Sequence, residues 1–131
     1  MKINYRNYYL SLLLISIIWI FLGKQFYNNF APIVFFIFGL PIFGFIYFSN
    51  LFKFSDLLKS KEPELFKRNA IHYGYFKDEL INGSVFYSLE INKLTDEELI
   101  SSYKKMKSSL NYMIASFISF GIIGILTVYL K

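Results

Sequence analysis

The sequence predicts an all-α integral membrane protein with three transmembrane helices and a partly helical cytosolic segment between the second and third. Three observations carry this. Hydrophobic residues make up 55% of the 131 positions and aromatic residues 21%, including sixteen Phe and eleven Tyr, more than a water-soluble domain of this length can bury. Three stretches, residues 8–22, 30–52 and 111–130, contain no charged residue. All nine acidic residues and ten of the fourteen basic ones fall between residues 53 and 109. The expected organisation is a two-span hairpin over residues 1–52, a cytosolic segment over 53–109 and a third span over 110–131.

Lys2 and Arg6 precede the first apolar run. A charged start followed by an apolar run has the outline of a signal peptide, but Ile20-Phe21-Leu22-Gly23-Lys24 offers no small-x-small cleavage site. An uncleaved anchor is expected. Residues 8–22 would rise about 22 Å as a helix, short of a hydrocarbon core of about 30 Å, and an interfacial helix is the competing reading. Tyr5, Tyr8 and Tyr9 at one end, and Trp19, Phe26 and Tyr27 at the other, can serve as interfacial belts, with Lys24 snorkelling outward.

After a polar turn at residues 25–29, the run 30–52 gives about 35 Å of helix, enough to cross with tilt. Pro32 near its start costs little, whereas Pro41, between Gly39 and Gly44, predicts a kink. Gly39, Pro41 and Gly44 are read as a bend that lets a neighbouring helix pack closely. On the third span, Ala115 and Ser119, four residues apart, form a second close-packing strip.

Within the hydrophilic segment, Pro63 suits the first turn of a new helix, with Glu62 and Glu64 at its positive dipole end. Residues 69–89 are the least regular part, with Gly74 and an Asn82-Gly83 turn signal. Tyr73, Tyr75, Phe76, Phe86 and Tyr87 are expected to form a small aromatic core there. Thr95 reads as a helix N-cap closed by Glu98 in a capping box. The helix it starts places Leu99, Tyr103, Met106 and Leu110 on one face and runs into the last span.

The formal charge of +5 does not point to nucleic acid, because the hydrophilic segment carries ten basic and nine acidic groups and has no basic face. Lysines and arginines cluster at the ends of the spans that face residues 53–109. The positive-inside rule then puts the N-terminus and that segment in the cytosol and the C-terminus outside. The abundance of Ile, Asn, Lys, Phe and Tyr fits an AT-rich bacterial genome, and hence a bacterial cytoplasmic membrane.

Candidate chemistry is sparse. Without cysteine there is no thiolate catalysis and no cysteine-based metal site. His72, the single histidine, lies near Asp78 and Glu79, but no nucleophile elbow, phosphate-cradling loop or second histidine accompanies it. Packing or surface exposure is the expected role. Asp96, Glu97 and Glu98 point in different directions on a helix, so they are read as a cap and not as a cation site. No ionisable group lies within the spans, which argues against a proton-coupled carrier. No enzymatic activity, cofactor, metal or small-molecule substrate is expected.

From the second span onward the chain resembles universal stress protein B, a small bacterial membrane protein. The resemblance runs through Leu57-Leu58, Glu62-Pro63-Glu64-Leu65-Phe66, the aromatic patch at 73–76, and Thr95-Asp96-Glu97-Glu98 leading through Tyr103, Lys104 and Met106 into a final span. It implies two spans around a cytosolic loop, a link to stress physiology and no known chemistry. The first span is an addition to that pattern. The basic, Tyr-rich start (Lys2, Tyr5, Arg6, Tyr8, Tyr9) is similar to that of three-span immunity proteins against pore-forming toxins, although their loops are generally shorter. The expected function is therefore that of a non-enzymatic membrane protein, an accessory subunit or stress-related factor, that contacts lipid and a membrane protein partner or itself. An immunity protein is the alternative, and an oligomeric pore the second. The expected docking surface is Pro63, Leu65, Phe66, Tyr73, Tyr75 and Phe76.

Overall fold

The computed structural model describes residues 4–22, 30–82 and 94–129. Among the described residues four helices carry most of the chain: α1 (Tyr5–Leu22), α2 (Ala31–Lys61), α3 (Pro63–Asn69) and α4 (Glu97–Tyr129). The single β feature among the described residues is an isolated antiparallel bridge between Ala70 and Ile81. Three of the helices, α1, α2 and α4, are long and apolar enough to cross a membrane. The turn expected at 25–29, Gly83 of the turn signal, and Phe86 and Tyr87 of the expected aromatic core lie outside the described residues.

α1 starts three residues before the uncharged run, so its 18 residues rise about 27 Å and largely remove the shortfall in length. Its buried positions, Leu12, Ser16 and Ile20, recur every fourth residue and make one stripe. α2 has 31 residues, about 46 Å of helix, and continues to Lys61, well past the end of the uncharged run at Phe52. It keeps its helical course through Pro41. Pro41 has no N–H to give the Ile37 carbonyl, four residues back, and its ring crowds that turn. The Tyr8 hydroxyl of α1 donates to the next carbonyl, that of Phe38, at 2.8 Å. A neighbouring helix thus supplies a hydrogen bond to the turn that the proline loosens.

The chain divides into two compact units. The first comprises Met1–Phe45 and Leu110–Lys131, so most of the expected N-terminal hairpin shares its unit with the apolar part of α4. Its core gathers Leu12, Ile20, Ala31, Phe35 and Ile123. Phe43, 1% exposed, is surrounded by rings, stacked on Tyr112 at 5.9 Å and tilted or edge-on to Tyr8 and Tyr9 at 5.8 and 6.0 Å. Outside that core the helices present large apolar side chains, among them Leu14, Phe21, Ile33, Phe45, Ile118 and Ile125.

The second unit is Ile46–Ser109. On α2, Leu51, Phe54 and Leu58 follow the three- and four-residue spacing of one helix face, and on α4 Leu99 and Met106 lie seven apart. These close on Phe66 from α3 and on Ala70, Leu80 and Ile81 beyond it. α3 starts where the sequence places it, with Pro63 in its first turn after a break at Glu62.

The start of α4 corrects the expected capping box. The N-cap is Asp96, not Thr95: its Oδ1 accepts the Leu99 N–H at 3.0 Å, three residues on, and the helix begins at Glu97. A carboxylate is the stronger acceptor next to the positive helix end, and Asp96 has a second partner that Thr95 could not hold. That partner is Lys61.

Candidate functional site

Two features of the second unit have the geometry to recognise something outside the chain. One is a closed loop over residues 70–82, the other a polar cleft between α2 and α4.

The loop is tied shut at its base. The Ile71 N–H donates to the Leu80 carbonyl at 2.8 Å, the Asn82 N–H to Asn69 at 2.6 Å, and the Asp78 N–H to Ile71 at 2.8 Å. Ala70, Leu80 and Ile81 anchor it in the core, each no more than 4% exposed. The buried Ser55 hydroxyl of α2 accepts the Ile81 N–H at 3.2 Å, and the Lys59 ammonium donates to the Asp78 carbonyl at 3.2 Å. The chain reverses through Gly74 at φ +78° and Asp78 at φ +56°, left-handed positions that favour glycine and tolerate a short polar side chain.

At the tip the aromatic side chains turn outward. Tyr75 is 91% exposed, Tyr73 76% and Phe76 39%. Phe76 meets Phe52 edge-on at 5.8 Å, and Tyr75 meets Phe76 edge-on at 5.3 Å, so an aromatic ladder leads from α2 onto the tip. Pro63 is exposed and Leu65 half-buried. Phe66 belongs elsewhere: at 3% exposed it is a core residue under the Lys59 ammonium, which sits 5.5 Å from its ring centre. Of the expected docking residues, the structure brings Tyr73, Tyr75 and Phe76 together on one surface and places Phe66 in the core. His72 lies on the same loop, its Nδ1 3.4 Å from the Asp78 carboxylate, with both side chains more than half exposed.

Lys61, at the end of α2, is a feature that sequence reading missed. Its ammonium donates to both carboxylate oxygens of Asp96 at 2.9 Å and to Glu98 at 2.7 Å. These hydrogen bonds raise the Lys61 pKa above its usual value, while the Lys61 contact followed by the Leu99 N–H lowers that of Asp96. Two of the three consecutive acids therefore do converge on one cation, and that cation is supplied by the chain. No local pattern links residues 35 positions apart; the only signal was an acidic N-cap available to a distant lysine.

Beside this clamp lies an open cleft of about 640 Å³. Asn50, Lys53 and Leu57 line it from α2, and Glu97, Glu98, Ser101, Ser102 and Lys105 line it from α4. Each set follows one helix face, spaced three and four apart. Among the described residues no group of three His, Asp or Glu side chains has the arrangement to hold a metal ion.

In the first unit, Gly39 is a true close-packing position. A Cβ there would meet the Phe35 ring at 3.2 Å and Leu12 of α1 at 3.3 Å. Gly44 has open space where a side chain would go, so it brings no neighbour close. Ser119 holds the Tyr9 hydroxyl at 2.6 Å; Ala115 is half-buried, and the fully buried small residue beside it is Ser116. No family model, curated protein or solved structure matches the chain.

Proposed function

We propose that this chain is a small, non-enzymatic, multi-pass membrane protein that acts through contacts between its apolar helices and by docking a membrane protein partner on the 70–82 loop. The observation that carries the reading is the contrast within that loop. Its base is buried and hydrogen-bonded, yet its tip holds Tyr75 at 91% and Tyr73 at 76% exposure. A backbone tied at its base loses little entropy on binding, and tyrosine is among the side chains that anchor protein interfaces.

The membrane half of the proposal is supported by the outward residues of α1, α2 and α4, where Phe21, Phe45, Ile118 and Ile125 are each more than half exposed. An apolar surface of that extent is covered by lipid or protein in a stable molecule. Charge distribution supports a bacterial cytoplasmic membrane, with the N-terminus and residues 53–109 on the cytosolic side. The resemblance to universal stress protein B supports a stress-related role. A non-catalytic role is supported by His72 and Asp78, which pair on the open surface of the loop and not within the cleft.

The test is co-purification in mild detergent of the wild type and a Tyr73→Ser, Tyr75→Ser variant, with both membrane levels measured. The variant is expected to reach the membrane normally and lose the partner. A partner retained by the variant at wild-type ratio refutes docking on this loop.

A further inference from the structure

The cleft between α2 and α4 is segregated by charge along its length. At one end stand Lys53 and Lys105, and neither pairs with a carboxylate among the described residues. At the other end stand Glu97 and Glu98, seven or eight residues from Lys105 and so about 10–12 Å away along the helix. Glu98 is already held by Lys61, which leaves Glu97 as the carboxylate at that end with no cation paired to it among the described residues. Asn50, Ser101 and Ser102 lie along the cleft and add neutral donors and acceptors.

The position of the basic end is as informative as its charge. Lys53 is the first charged residue after the uncharged run that ends at Phe52, and after Lys105 only Lys107 precedes the apolar remainder of α4. Both lysines therefore stand where the helices pass from apolar to polar surface. In a bilayer this is the depth of the lipid phosphates, and the acidic end lies farther out, at the depth of the headgroup amine. A volume of about 640 Å³ is that of a small-molecule site.

We infer that this cleft binds the headgroup of an aminophospholipid, its phosphate between Lys53 and Lys105 and its ammonium at Glu97. A phosphate diester with a primary amine two carbons away matches a site with cations at the apolar end and a carboxylate at the outer end. A choline headgroup presents methyls where Glu97 needs N–H donors, and a glycerol headgroup presents no cation. The inference rests on the membrane reading above and is independent of the docking loop.

Native mass spectrometry of the full chain in detergent, with phosphatidylethanolamine, phosphatidylcholine or phosphatidylglycerol of identical acyl chains, tests it. Retention of the ethanolamine lipid is expected to exceed that of the other two. A Lys53→Gln, Lys105→Gln variant is expected to lose retention of phospholipid by about a hundredfold or more, the loss of two charge-assisted hydrogen bonds to phosphate. Glu97→Gln is expected to erase the preference for ethanolamine over choline while phosphate binding persists. Ser102→Tyr, which fills the cleft without changing its charge, is expected to abolish binding and guards against a misfolded lysine variant.

Equal retention of ethanolamine and choline lipids, stronger retention of the glycerol lipid, or unchanged retention by the lysine variant overturns the assignment. Soluble O-phosphoethanolamine or inorganic phosphate protecting the chain against heat as well as the lipid does so too, by assigning a soluble ligand in place of a lipid. Carbonate extraction of the wild type from membranes addresses the membrane reading separately, since a chain released by carbonate fails that reading whatever its headgroup preference.

Discussion

Phe66 decides between two uses of one residue, and its truncation has a calculable cost. The side chain is 3% exposed in a core shared with Phe54, Leu58, Leu80, Ile81 and Leu99. Phe66→Ala removes the ring's burial and leaves a cavity, together about 3–5 kcal/mol. It also removes the cation–π contact with Lys59, about 0.5–1 kcal/mol at a surface-facing site. A unit the size of residues 46–109 has a stability of roughly 3–10 kcal/mol, so this one change takes a large share of it or all of it. Tyr75→Ala, on the neighbouring 70–82 loop and 91% exposed, is expected to cost less than about 0.5 kcal/mol. Hydrogen exchange of the amides of Ile71, Asp78 and Asn82, which tie the loop, gives the readout in detergent or nanodiscs. They are expected to exchange rapidly in Phe66→Ala and at wild-type rates in Tyr75→Ala. Wild-type protection in Phe66→Ala would show that the ring does not hold this core together.

Further outcomes follow from individual contacts. Tyr8→Phe removes the hydroxyl bond to the Phe38 carbonyl and is expected to lower unfolding stability by about 0.5–1.5 kcal/mol, read as the denaturant midpoint in micelles. Tyr9→Phe and Ser119→Ala share one hydrogen bond, so a double-mutant cycle is expected to show a coupling of about 0.6 kcal/mol; strict additivity rejects the bond. Gly39→Val meets the Phe35 ring and Leu12 and is expected to cost about 1–3 kcal/mol, whereas Gly44→Ala enters open space and is neutral or stabilising by up to about 1 kcal/mol in the same melts. The clamp has a defined pH window. Asp96 has a lowered pKa, so its contribution is present above the usual carboxylate range and is lost as pH falls through the folded value. Lys61 has a raised pKa, so its contribution is present below the usual lysine value and is lost as pH rises through the folded one. The start of α4 is therefore expected to be held between about pH 4 and pH 10, and Lys61→Gln to reduce the acid sensitivity of Leu99 amide exchange.

What the sequence made legible was set by how local each signal is. Uncharged runs mark the three long helices because burial or lipid contact demands them along a continuous stretch, and Pro63 marks the start of α3 because its ring fits only the first turn. The end of α2 was less legible. Hydropathy stops at Phe52, but residues 53–61 keep helical geometry through Phe54 and Leu58, a polar helix with one apolar face. Thr95 and Asp96 are both good caps, and the choice between them falls to Lys61, far away in sequence. Phe66 and Tyr75 are chemically similar aromatics in a hydrophilic segment. Which of them is buried depends on the bridge between Ala70 and Ile81, a pairing that the 69–82 sequence does not advertise. The cleft was invisible for the same reason: Lys53 and Lys105 become neighbours only when two helices are laid side by side.

The hydroxyls of the long helices have a bearing on assembly. Ser16 donates to the Leu12 carbonyl at 2.9 Å, Ser116 to Tyr112 at 2.8 Å and Thr127 to Ile123 at 2.7 Å, each four residues back in its own helix. These three buried groups need no partner from another helix, so they would stay satisfied in α1 or in the apolar part of α4 standing alone in lipid. Tyr8 and Tyr9 differ, because their hydroxyls reach the Phe38 carbonyl and Ser119 on other helices. The hydroxyls of these helices thus fall into two sets: Ser16, Ser116 and Thr127 are satisfied by secondary structure alone, whereas the two neighbouring tyrosines of α1 are satisfied only once its companions are packed against it.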